Sequence, residues 1–266
     1  EFGHGVAIFS LEMTNVELTD RLIASESGIS ADKLKGKIKM VPEEWVVLEQ
    51  SLKKLVKAPL YIDETPGITL TDFVAKARRL VREKGVEVIF VDYLQLMHSG
   101  KPQSGGFSKV QEVTEISNTL KTTAKDLKVP IIALAQLNRN LMSRAGSNGK
   151  PVLSDLKDSG SIEQDADMVI FIHRPGMVGM SEDLTEAEIL IAKNRSGKVG
   201  SIEMKYNGDL VRFEDVAPFY ESMMNAEPKP AQPVQKQNPA PAYDPTIPPP
   251  PSYNPFDEFS QNDFIQ

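Results

Sequence analysis

The chain reads as an α/β protein built on a mostly parallel sheet flanked by helices, with an antiparallel hairpin at the end. Three observations predict it. Strand-like runs alternate with helix-like segments from residue 1 to about 222, the pattern that builds parallel sheets through helical crossovers. The run VEVIFVD (86–92) is almost continuously apolar, as suits a strand covered on both faces. The last two strand-like runs flank Asn207-Gly208, a two-residue hairpin signal.

The elements follow in order. VAIFS (6–10) is a strand, and Thr14-Asn-Val-Glu17 is a capping box that opens a helix to about Ser27. Pro42 takes the first position of the helix PEEWVVLEQSLKKLVK. LYID (60–63) is a short strand. Thr71 is expected to cap the basic helix DFVAKARRLVREK, which Gly85 stops. A Gly/Ser-containing loop (100–108) precedes the helix KVQEVTEISNTLKTTAKDLK, and VPIIALAQ is the next buried strand. A polar loop, NRNLMSRAGSNGKPV, follows. MVIFIH, EAEILIAK, GSIEMKY and LVRFED are the remaining strands.

Composition narrows the function classes. No cysteine occurs among the 266 residues, so neither a disulfide framework nor a thiolate metal site is available, which fits a cytoplasmic protein. Three histidines and no HExxH pattern argue against a zinc site. No apolar run approaches membrane-spanning length. The net charge of −7 disfavours a broad electrostatic grip on duplex DNA but leaves room for a narrow channel lined by a few loops.

Two domains are expected: a body over 1–222 and a tail over 223–266. From Ala226 onward lie 11 of the 19 prolines and five acids against two lysines, a composition that cannot bury enough apolar area to fold. The tail is expected to be a disordered, polyproline-rich linker. Its tip, NPFDEFSQNDFIQ, alternates Phe256, Phe259, Phe264 and Ile265 with acids. It reads either as a frayed end or as a tethered peptide whose aromatics dock in a partner's pocket.

Three strand runs end on polar residues suited to nucleotide chemistry: Glu12 after VAIFS, Asp92 after VEVIFV and Gln136 after VPIIALA. In a parallel α/β sheet, ligands sit beyond the carboxyl ends of the strands, so the three would share one crevice. Asp92 has the layout of a carboxylate that holds a magnesium ion at the β- and γ-phosphates of a nucleotide. Taken alone it could equally cap a turn. Glu12 could polarise an attacking water as general base, or serve only as a helix-entry acid. Gln136 could sense a γ-phosphate and relay its presence. Lys193 and Arg195, two apart where a strand runs into a turn, project to one side. They suit phosphate recognition, on a neighbouring subunit's nucleotide in a ring, or they merely solvate an edge. The stretch SDLKDSGSIEQDAD (154–167) is too rich in small and polar residues for a core element. It is expected to be a loop exposing Lys157, Asp158 and the Ser159-Gly160 backbone to single-stranded phosphates.

FSLEM, VDYLQLM, AQLNR, SDLKDSGSIEQDAD and AKNRSG, in this order and spacing, resemble the C-terminal motor domain of the bacterial replicative DNA helicases, the DnaB family, from about Val6 to Phe213. The resemblance implies a RecA-like ATPase core, ATP and Mg2+ as cofactors, and a homo-hexameric ring around single-stranded DNA. It also implies primase and other replication proteins as partners. Carried over residue by residue, it makes Glu12 the catalytic glutamate, Asp92 the metal-holding aspartate and Gln136 the nucleotide-sensing glutamine. Lys193 and Arg195 become the trans-acting basic pair, and Lys157, Asp158 and Gly160 fall in the DNA-contacting loop, with Lys157 standing where an arginine is expected.

Two departures matter. No GxxxxGK[ST] phosphate loop occurs in the sequence, and the chain starts almost on top of the Glu12 strand. It is therefore expected to be an N-terminally truncated piece of a larger ATPase, inactive alone, whose sheet has unpaired edges and a hole where a strand is missing. The second departure is the Pro-rich tail, which is expected to recruit replication partners. Two alternatives accompany this reading: a RecA-like recombinase-type ATPase, and a non-catalytic interaction or single-stranded-DNA-binding protein.

Overall fold

A computed structural model describes residues 3–101, 108–137 and 149–216, the side chains of 157–160 excepted. The chain divides into Glu1–Ser222 and Met223–Gln266, and every described residue lies in the first unit. The tail and its acidic-aromatic tip lie outside the described residues, as does most of the polar loop after Leu137.

The first four strands, β1 (Gly5–Ser10), β2 (Leu60–Asp63), β3 (Val86–Asp92) and β4 (Ile131–Ala133), form one parallel sheet in the order β2-β1-β3-β4. The next four, β5 (Met168–His173), β6 (Glu186–Asn194), β7 (Gly200–Asn207) and β8 (Arg212–Asp215), form a separate antiparallel sheet in chain order. The expected hairpin, β7–β8, closes this second sheet, which has four strands. β4 and β5 are the edges at which the chain passes from one sheet to the other.

Helices α1 (Asn15–Ser27), α2 (Ala31–Leu34) and α3 (Pro42–Lys57) lie between β1 and β2, α4 (Leu70–Lys84) between β2 and β3, and α5 (Lys109–Leu127) between β3 and β4. The core of the parallel half lies between sheet and helices. Phe9 of β1 and Phe73 of α4, both fully buried, meet edge to face with centroids 4.8 Å apart, a favoured arrangement of ring quadrupoles. Ile89 and Val91 of β3 and Ile116 of α5 join the same cluster. A smaller cluster, Leu156, Val169 and Phe171, packs with Ala135 and Leu137 and ties the end of β4 to the second sheet.

Four local expectations are corrected. The cap of α4 is Thr69, not Thr71: its hydroxyl accepts from the Asp72 amide, so the start signal is the Thr-x-x-Asp pattern that begins two residues earlier. β4 stops at Ala133, leaving Gln136 three residues past the strand. The β7–β8 connection is four residues, 208–211, because Asn207 pairs with Arg212, and the Asn207 side chain accepts from Leu210 N at 3.3 Å. Finally, the stretch 154–167, expected as a loop, is for the most part a 3-10 turn (Leu153–Ser159) running into helix α6 (Gly160–Asp165). Leu153, Leu156, Ile162 and Ala166 are spaced to turn one apolar side inward, where they join the buried clusters. The Asp155 carboxylate accepts from Val152 N at 2.7 Å at the start of the turn.

Candidate functional site

The register of the parallel sheet assembles the site. Ser10 pairs with Asp92 across β1 and β3, and Leu11 N donates to Asp92 O at 2.8 Å. The chain then turns, held by the Ser10 hydroxyl donating to Met13 O at 2.7 Å, and Glu12 stands exposed on that turn, one residue past the Leu11–Asp92 bond. On the other side of β3, Leu134 N donates to Val91 O at 2.9 Å and Leu94 N to Leu134 O at 3.0 Å. These bonds carry β4's direction past its last strand residue and deliver Gln136 to the same edge. Glu12, Asp92 and Gln136 therefore leave three adjacent parallel strands, β1, β3 and β4, at their carboxyl ends, where open α/β sheets bind ligands.

Asp92 is half-buried and has no cationic partner among the described residues. A hard carboxylate oxygen so placed suits a hard divalent cation. Among the described residues no group of three or more His, Asp or Glu is placed to hold a metal ion by itself. Phosphate oxygens would supply the rest of a shell.

The basic pair lies elsewhere. Lys193, near the end of β6, donates to Glu163 O at 2.5 Å and reaches Gln164 O at 3.4 Å. Arg195, just beyond the strand, donates to Gln164 O at 2.7 Å and to the Asp167 carboxylate at 3.3 Å. Its amide donates to Asp167 O at 2.9 Å. Both cations therefore dock on the C-terminal end of α6, whose free carbonyls carry partial negative charge. Asp167 also pairs with Lys121 of α5 at 2.5 Å. That hydrogen bond chiefly, with Arg195 and Lys193 adding to it, holds the Asp167 carboxyl below the usual carboxylate range. Gly160 opens the helix that the pair closes, so the structure joins the Lys157–Gly160 segment to Lys193 and Arg195 through α6. The bonds described for the pair go to Glu163, Gln164 and Asp167, and none of them to Glu12, Asp92 or Gln136.

Three residues of the site are not legible in the sequence. Asp167, itself held by Lys121, binds Arg195, and nothing short of the fold joins positions 46 apart. Gln95 bonds the Gln136 main chain; its only signal is a carboxamide three residues after Asp92, in the turn that leaves the same strand.

The fold and this edge define a RecA-like ATPase domain. Residues 1–215 match the DnaB-like helicase C-terminal domain family, and the chain belongs to it. It is 42% identical over 210 residues to the replicative DNA helicase DnaB of Geobacillus stearothermophilus, a match covering 78% of this chain and 45% of that protein. It is 41% identical over 217 residues to the DnaB of Pasteurella multocida, covering 80% and 45%. The chain thus spans a little under half the length of these curated relatives. Among solved structures, a DnaB-like replicative helicase, described with its interactions with primase, superposes with a TM-score of 0.73 at 31% identity, covering 80% of this chain and 51% of that one. A separately solved ATPase domain gives the same TM-score and identity over 80% and 75%.

Proposed function

We propose that these residues are the motor portion of a replicative DNA helicase, coupling ATP hydrolysis to movement along single-stranded DNA and to unwinding at the replication fork. The observation that carries the reading is the delivery of Glu12, Asp92 and Gln136 to one edge of the parallel sheet. Asp92 would hold Mg2+, which when bound neutralises charge on the β- and γ-phosphates of ATP. Glu12, exposed on the turn after β1, accepts the proton of the attacking water. Gln136 hydrogen-bonds the terminal phosphate.

Within a homo-hexamer, Lys193 and Arg195 serve the neighbouring subunit's nucleotide, and Lys157, Asp158 and Gly160 track the DNA backbone. Because the pair caps α6, an occupied neighbouring site would act on the helix that carries the DNA segment. One solved relative is described with primase, which supports primase as a partner here. The aromatic and acidic residues of the tip, Phe256 to Ile265, suit recruitment of other replication proteins in the cytoplasm. Among the described residues no helix is long and apolar enough to cross a membrane.

A second reading is favoured by one fact, that GxxxxGK[ST] is absent from these 266 residues. It makes the chain a non-catalytic interaction protein. Sequencing the DNA upstream of the Glu1 codon separates the two. A continuous frame encoding that motif within about one strand-plus-helix unit supports the motor. A stop codon or an unrelated frame overturns it.

A further inference from the structure

Gln136 does not stand on a strand. β4 ends at Ala133, and regular pairing with β3 reaches only Leu134. What holds the main chain at Gln136 is a side chain. The Gln95 carboxamide oxygen accepts from Gln136 N at 3.2 Å, and its nitrogen donates to Gln136 O at 3.1 Å. A primary amide carries a donor and an acceptor side by side, so it offers the two bonds that a neighbouring peptide would otherwise make. Gln95 is itself well anchored. It sits in the middle of the single 3-10 turn Leu94–Leu96, between Leu94 and Met97, which are buried at 2% and 0% exposure. Its carbonyl accepts from Lys109 Nζ at 3.3 Å, at the start of α5.

We propose that Gln95 is a positioning residue for Gln136: the carboxamide grips both polar groups of the Gln136 peptide and thereby aims the sensing side chain at the edge shared with Asp92. The consequence is mechanical. Asp92 and Gln95 lie on one short segment, so a displacement of the Asp92 turn on ligand binding is carried to Gln136 by hydrogen bonds, with no need for the ligand to touch Gln136 first. The role rests on the reading of Gln136 as the residue that senses nucleotide; the grip itself does not.

Backbone amide exchange on the whole 266-residue chain tests both. Gln95→Met keeps the length and removes both partners. It is expected to speed exchange at Gln136 by roughly five- to tenfold, the loss of one modest hydrogen bond. Exchange at Ile89 and Ile132 and the melting temperature should stay at their wild-type values. Unchanged exchange at Gln136, or loss of protection throughout β3 and β4, overturns the proposal. In the second arm both sequences are extended upstream by a segment carrying GxxxxGK[ST], which these 266 residues lack and which supplies the phosphate cradle; there, Mg2+ with a non-hydrolysable ATP analogue is expected to slow Gln136 exchange in the wild type and to leave it unaltered in Gln95→Met. A wild type indifferent to the analogue, with the first comparison positive, removes the sensing role and the positioning role with it. That result is distinct from a failure of the grip.

Discussion

Glu112 shows how a single charged residue is made tolerable inside this fold. It is 5% exposed at the start of α5, where burial would by itself raise its pKa. Lys109 at 3.0 Å, the Ser99 amide and His98 more than offset that and bring it below the ordinary carboxylate range. A carboxyl depressed in the folded state stabilises the fold above its unfolded pKa and loses that contribution as pH falls through the folded value. The chain should therefore lose stability below about pH 4.5, and Glu112→Gln should flatten part of that slope in urea titrations run from about pH 3 to about pH 7. At neutral pH the same variant is expected to cost about 1–3 kcal/mol. Arg195 is a contrasting case. Half-exposed ion pairs such as Arg195–Asp167 contribute little, so Arg195→Ala should leave the melting temperature within about 2 °C of wild type. If the arginine serves a neighbour's nucleotide, however, DNA-stimulated ATP hydrolysis by a ring of chains extended to include a GxxxxGK[ST] segment should fall by about 10³-fold or more. An unchanged rate would return Arg195 to the role of a surface charge.

At the scale of elements, legibility follows how local the determinant is. The α1 capping box is readable because Thr14 and Glu17 satisfy each other within one turn. So are Pro42 at the head of α3 and Gly85 in the left-handed conformation that stops α4. The Glu12 and Asp92 positions are readable for the same reason, since each follows its own apolar run. The segment 154–167 reads as a loop because its apolar residues are outnumbered by polar ones, and only packing against Val169 and Phe171 shows that they suffice. β4 reads too long because an apolar run does not by itself mark strand pairing: the run continues through Ala135, while the register with β3 stops at Ala133. The cap of α4 is the direct test of such a correction. Thr69→Ala removes the hydroxyl that accepts from Asp72 N and should cost about 1 kcal/mol, lowering the melting temperature by about 2–4 °C. Thr71→Ala, on the exposed side one position inside the helix, should change stability by under about 0.5 kcal/mol. Equal effects would move the cap back to Thr71.

At the scale of the whole described body, the determining feature is the break between the sheets. A strand interior to an α/β sheet is covered on both faces and paired on both edges, yet β5 buries only alternate residues. Val169, Phe171 and His173 face inward, while Met168, Ile170 and Ile172 remain 47%, 51% and 58% exposed. Ile132 and Leu134 at the end of the other sheet are 46% and 44% exposed, and Ile202 of β7 adds 52%. Unpaired, apolar edge strands are templates for association, and scattered exposure of this kind becomes adhesive when it is contiguous. The chain by itself is accordingly expected to bind a hydrophobic dye and to associate at micromolar concentrations. Replacing Ile170 and Ile172 together by threonine keeps β-branching while making both side chains polar. It should lower dye binding and association several-fold, with secondary structure retained by circular dichroism. A chain that already melts in one sharp transition as a monomer would show that β4 and β5 close against each other in solution, and the double replacement would then only destabilise.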